Sequence, residues 1–300
     1  MSIRINDLQQ YVAQDAVEFA QYTDVSSDDL RDQFIEILRQ KVHGFCFSLY
    51  EEGQKPGDVV TEAQIRRRLN VLKPHCSWIR TFSCTEGNEL IPKLAKELGF
   101  KTLVGAWIGK DAEKNQAEVE ALIVLAEEGL VDIAAVGNEV LYRNELSAEA
   151  LCVQIEQVKR AIPYIPVGYV DAYYQFVQHR NIADSCDLIL CNCYPYWEGT
   201  SIEDSLSHIH QMYQQALSVS SGKKVIITET GWPSQGLNFK AAYPSIENTK
   251  RYFVQFQQWA KALNIDSFYF SSFDESWKIG DEGDVGAYWG LWDCAEQLKV

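Results

Sequence analysis

The chain has 300 residues, a 46% hydrophobic share and a 23% charged share, which suit one soluble globule with a sizeable core. A formal net charge of −15 excludes nucleic acid and anionic membrane as natural partners, and it suits a neutral ligand better than an anionic one. No apolar run approaches the roughly 20 residues that a membrane-spanning helix needs.

The opening stretch MSIRINDLQQYVAQDAVEFAQ lacks the charged-then-apolar pattern of a signal peptide. The expectation is therefore either a cytosolic protein or an export segment outside this chain. Residues 1–43 read as an extension of one or two helices, packed outside or across the base of the domain that follows. From there one unit recurs: a short apolar strand, a loop, an amphipathic helix. The strands are GFCFSLY (44–50), SWIRTFS (77–83), KTLVGAW (101–107), VDIAAVG (131–137), IPVGYVDA (165–172), DLILCNCY (187–194), KVIITET (224–230) and SFYFSSF (267–273). Most are apolar throughout, the pattern of strands covered on both faces.

The segments between them carry helical period. Thr61 and Gln64 have the spacing of a capping box before Ile65, Leu69 and Leu72. Ile91, Leu94, Ala95 and Leu98 repeat before a C-capping Gly99, and Ser147 can cap a helix bearing Leu151, Ile155 and Val158. Eight strands alternating with helices predict an α/β fold, a single (β/α)8 TIM barrel over residues 44–300. The alternative is an open doubly wound sheet, but no glycine-rich phosphate loop follows the first strand. The eight cysteines lie mostly in or beside apolar runs, so free buried thiols are expected rather than a disulfide framework.

In such barrels chemistry gathers where strands end. Glu139 follows strand four and Glu229 ends strand seven, while Tyr50, Arg80, Trp107, Asn192, Tyr194, Asp274 and Glu275 lie at other strand ends. A charge at the end of a buried strand is costly without a partner or a task. Two carboxyl groups facing one another suit glycosidic cleavage, one protonated to release the leaving oxygen and one ionised to meet the sugar. Their mutual repulsion separates their pKa values and assigns the roles. Trp107, Trp197, Trp232 and Trp277 follow strands at the same end and are candidate platforms for sugar rings, with Trp277 foremost and Trp232 next, whereas Trp259 and Trp78 read as core. His208 with His210, and Cys191 with Cys193, have no further ligands near them, and GDEGD (280–284) reads as a solvated loop, so no metal is expected.

The motifs VGNEVLYR, CNCYPYWEG, ITETGWPSQG, SSFDESWK and EGDVGAYWGLWD resemble glycoside hydrolase family 17, the β-1,3-glucanases, and PYWEG and GAYWGL resemble its bacterial and fungal members. The likeness runs over roughly residues 43–295. It implies a retaining enzyme acting without a cofactor on β-1,3-glucan, with Glu139 as acid/base and Glu229 as nucleophile. Retention places such carboxyl groups about 5–5.5 Å apart. The resemblance further implies that Asn138 binds the sugar 2-hydroxyl, that Arg80 and Tyr194 orient the nucleophile, and that Glu275 and Lys278 form a charged pair after strand eight. Phe82 stands where relatives often have Tyr, and Ser276 where plant members have Asn. Hydrolysis of laminarin-type chains by a monomer is the first expectation, transfer to another sugar (elongating or β-1,6-branching) the second, and an inactive binding module the third.

Overall fold

The computed structural model describes Tyr22 and residues 27–300 apart from Asp281. The rest of the N-terminal extension, and Asp281 in the GDEGD loop, lie outside the described residues. Eight parallel strands close into a barrel in sequence order: β1 (Val42–Cys46), β2 (Cys76–Arg80), β3 (Lys101–Ala106), β4 (Ile133–Asn138), β5 (Val167–Ala172), β6 (Ile189–Asn192), β7 (Val225–Thr230) and β8 (Ser267–Tyr269). All eight expected strands exist. Five of them, β1, β2, β3, β6 and β8, are shorter at their C-terminal ends than the apolar runs, because the last residues of those runs leave the ladder towards the mouth.

The helices lie outside the strands: α1 (Ser27–Arg39), α2 (Glu62–Leu72), α3 (Leu90–Glu97), α4 (Ala112–Glu127), α5 (Ala148–Ala161), α6 (Tyr173–Gln178), α7 (Arg180–Ser185), α8 (Pro195–Glu198), α9 (Ser205–Val219) and α10 (Ile246–Ala262). Their starts follow local chemistry. Thr61 accepts from the Gln64 amide at 3.2 Å and Ser147 from that of Ala150 at 3.2 Å. The expected capping box at Thr61 is only half formed, since the Gln64 side chain turns inward to the Leu49 carbonyl at 3.0 Å. Gly99 takes the left-handed φ of +83° that ends a helix.

The buried Leu30, Phe34 and Leu38 form one stripe of α1, and Phe34 meets Phe253 of α10 edge-on at 5.1 Å. Phe253 in turn meets Tyr269 of β8 at 5.0 Å, so the described part of the extension is docked on the outside of the barrel through its last helix. The barrel's first strand starts at Val42, inside the stretch read as extension. The eight thiols are all free; six are buried, Cys152 is half-buried and Cys294 exposed.

Three register shifts occur towards the C-terminal ends, between Ala135 and Asn138 on β4, Cys191 and Asn192 on β6, and Ile227 and Thr230 on β7. Such irregularities turn side chains that a regular ladder would send elsewhere. Asn138, Asn192 and Glu229 all stand at them.

Candidate active site

Glu139 is delivered by a tight backbone reversal. Gly137 has a φ of +91°, a Cβ there would lie 2.8 Å from the Val140 side chain, and Glu139 itself has a φ of +54°. A non-glycine residue in that region marks stored strain held by its surroundings. The Glu139 amide donates to the Val170 carbonyl at 2.8 Å, and its Oε1 accepts from Asn192 Nδ2 at 2.9 Å. Burial and then the neighbouring Glu229 charge push its pKa up from 4.5 to about 7, against the Asn192 hydrogen bond.

Glu229 lies within β7 and is buried. Its Oε1 is 2.8 Å from Arg80 Nη1, and its Oε2 accepts from the Tyr194 hydroxyl at 2.9 Å. The Arg80 approach has the distance of an ion pair but not the alignment of a hydrogen bond, so Oε1 has no aligned donor. Arg80 is oriented by Asn138 Oδ1 at 2.7 Å and lies over the Phe82 ring at 4.2 Å. The replacement noted at Phe82 therefore packs beneath the guanidinium. Burial, then the Glu229 charge, push the Tyr194 phenol far up, so it stays protonated and donates.

The two acids thus sit in opposite surroundings around one pivot. Asn192 contacts Glu139 through Nδ2, accepts from Thr228 at 2.9 Å through Oδ1, and is in register with Glu229. Both acids, with Asn192, Tyr194 and Trp197, line a cleft of about 610 Å³ at the mouth. Tyr142, Tyr173, Tyr174, Phe239 and Phe270 add aromatic walls, and Glu198 and Glu282 also line it. A depression of about 660 Å³ at the other end, among α1, α10, Val42 and Ser267, contains neither acid.

The remaining candidates separate into groups. Trp197, 37 % exposed, presents its ring to the cleft. Trp232 does not: it is 0 % exposed, its indole donates to the Tyr243 carbonyl at 2.9 Å, and it packs edge-on against Tyr196 at 5.4 Å. The expectation of a sugar platform at Trp232 is corrected to a core residue, because the loop after β7 folds over it. Tyr50, Glu275, Trp277 and Lys278 form a cluster on the β1–β8 side. Lys278 pairs with Glu275 at 2.9 Å, and Trp277 meets Tyr50 edge-on at 5.9 Å. Trp107 is covered by Arg143, whose guanidinium lies 4.5 Å from its ring.

Sequence reasoning missed the aromatic wall. The Tyr173–Tyr174 pair directly after β5 was a usable clue, since it follows a strand at the catalytic end. Phe239 lies in an irregular loop, and only the folded contact with Trp197 at 6.1 Å brings it to the cleft.

Residues 44–290 match the BtgE/BtgC glycoside hydrolase domain. A glucan 1,3-β-glucosidase of Saccharomyces cerevisiae is 28% identical over 268 residues, spanning 81% of this chain and 86% of that protein. The crystal structure of a glycoside hydrolase family 17 β-1,3-glucanosyltransferase from Rhizomucor miehei superposes with a TM-score of 0.78 at 32% identity, covering 87% of this chain and 96% of that one. An active-site mutant of that enzyme, in complex with laminaritriose, matches with the same TM-score at 31% identity. With a domain match over most of its length and a family 17 enzyme as a structural relative, the chain belongs to glycoside hydrolase family 17.

Proposed function

We propose that this enzyme cleaves β-1,3-glucosidic bonds of laminarin-type glucan with retention. The observation that carries the roles of the two acids is their asymmetry, Glu229 paired with Arg80 at 2.8 Å while Glu139 has its pKa pushed up to about 7; retention and the β-1,3 linkage rest on the similarity to family 17 enzymes. The Glu229 carboxylate attacks the anomeric carbon, and the glycosidic C–O bond breaks. Its electron pair leaves with the oxygen, which takes the Glu139 proton. Glu139, now ionised, next removes a proton from water as that water displaces Glu229 from the sugar. Asn138 accepts from Arg80 through its Oδ1, which leaves its Nδ2 as the group suited to a sugar 2-hydroxyl. No step requires a metal or cofactor. No helix among the described residues is long and apolar enough to cross a membrane.

A second reading is transfer of the glycosyl group to another sugar hydroxyl. It is favoured by the similarity to the Rhizomucor miehei glucanosyltransferase and by the aromatic cleft walls, which offer an acceptor sugar apolar faces. Incubating one defined laminari-oligosaccharide with and without added acceptor decides between them. Glucose and short oligomers mean hydrolysis, longer products mean transfer, and unchanged input removes both.

A further inference from the structure

Directly behind Glu139 lies a buried pair that the chemistry so far leaves unused. Tyr169 and Asp171 alternate on β5, and both are 0 % exposed. The Tyr169 hydroxyl donates to Asp171 Oδ2 and accepts from the Leu141 amide at 2.9 Å. The same Asp171 oxygen receives the amides of Leu141 at 3.2 Å and Tyr142 at 3.3 Å, and Oδ1 receives that of Ala172 at 2.7 Å. The chain turning out of β4 is therefore wrapped around one carboxyl group. From the other side Arg143 donates to the Asn138 carbonyl, and its second nitrogen reaches the Ile108 carbonyl at 3.1 Å.

Between these two clamps stands Glu139, in the left-handed φ of +54°. A carboxylate side chain gives no local reason for that conformation, so surrounding hydrogen bonds must impose it. We infer that Asp171, with Tyr169, is the positioning residue of the proton donor: it holds the Leu141 and Tyr142 amides so that the Glu139 carboxyl faces the leaving oxygen. Asp171 touches no substrate and acts only through the turn. Its negative field at Glu139 works in the same sense, favouring the protonated acid.

The inference rests on Glu139 being the proton donor, and the test separates the two claims. Proton donation matters for a sugar leaving group and hardly at all for an activated one such as dinitrophenol, whose departure needs no acid. The substrates are a laminari-oligosaccharide and a dinitrophenyl β-laminaribioside. Asp171→Asn is expected to lower kcat/KM on the oligosaccharide by on the order of 10- to 100-fold, with less than about 3-fold change in the rate of dinitrophenolate release during glycosyl-enzyme formation. Tyr169→Phe keeps Asp171 and the packing, and should show the same split more weakly; it decides alone if Asp171→Asn does not fold. Equal losses on both substrates, or none on either, would make the pair a general support of the fold and overturn the inference. Glu139→Ala run beside them must show the largest split. If it shows the split and the β5 variants do not, only the positioning role falls; if it shows none, the proton-donor assignment falls with it.

Discussion

Glu139 and Glu229 are the same residue type placed in unlike surroundings, and that difference has measurable consequences. On the proposed role of Glu139 as general acid, which must carry a proton, kcat/KM should decline as pH rises through about 7, the pKa to which burial and Glu229 push it. A pH profile with no basic limb between about pH 6 and 8 would contradict this assignment. The same raised pKa bears on stability. A carboxyl that ionises later in the folded protein contributes stability fully present below its ordinary value of 4.5 and lost as pH rises through about 7. Glu139→Gln removes the charge and should melt above the parent at pH 8 while matching it near pH 4. The expected gain is on the order of 1–3 kcal/mol by thermal denaturation. Glu229→Gln should cost several orders of magnitude in turnover while oligosaccharide still binds, since it removes the proposed nucleophile but not the cleft.

Elements matter because the site is assembled from the C-terminal ends of several strands. Gly231 immediately follows β7, and a Cβ there would lie 2.0 Å from the Phe270 carbonyl oxygen, a backbone atom with little room to retreat. Gly231→Ala must push β7 and the β8 exit apart, costing about 2–3 kcal/mol and disturbing Glu229 two residues away. Reduced activity together with a lowered melting temperature is the expected result. Trp232→Ala, by contrast, should cost about 3–5 kcal/mol of stability as a core truncation, with little loss of kcat/KM in the molecules that still fold. A catalytic loss without loss of stability would return it to the sugar path. The lesson concerns loops: the position of Trp232 just after a strand suggested exposure, but only the fold of the segment up to Tyr243 decides which face is covered.

Across the whole molecule, long-range pairs hold the mouth in shape. Glu118 of α4 is fully buried and receives the Ser83 hydroxyl at 2.5 Å, the Cys84 amide at 2.8 Å and the Trp107 amide at 3.0 Å, together with the Thr85 hydroxyl. One carboxyl group thus ties the β2 and β3 exits to a helix on the outside. Replacing it by glutamine turns one acceptor into a donor facing donors, and unfolding should become easier by about 1–3 kcal/mol. Nothing in the local sequence around Glu118 announces this role, because its partners lie 11 to 35 residues away.

Much of the architecture was readable beforehand, for a physical reason. Strand and helix identity follow from the period of apolar residues, and eight buried strands alternating with helices leave a closed barrel as the natural packing. The two acids drew attention because a charge at the end of an apolar run demands an explanation, and both line the cleft. What only tertiary structure decided is the set of partners. That Asn192 joins Glu139 to the register of Glu229, that Phe82 packs beneath Arg80, and that Asp171 grips the turn bearing the acid all depend on contacts between separate strands. Sequence period records which face of an element is apolar; it carries no information on which distant side chain meets it, and that meeting sets the strain and charge on which the chemistry depends.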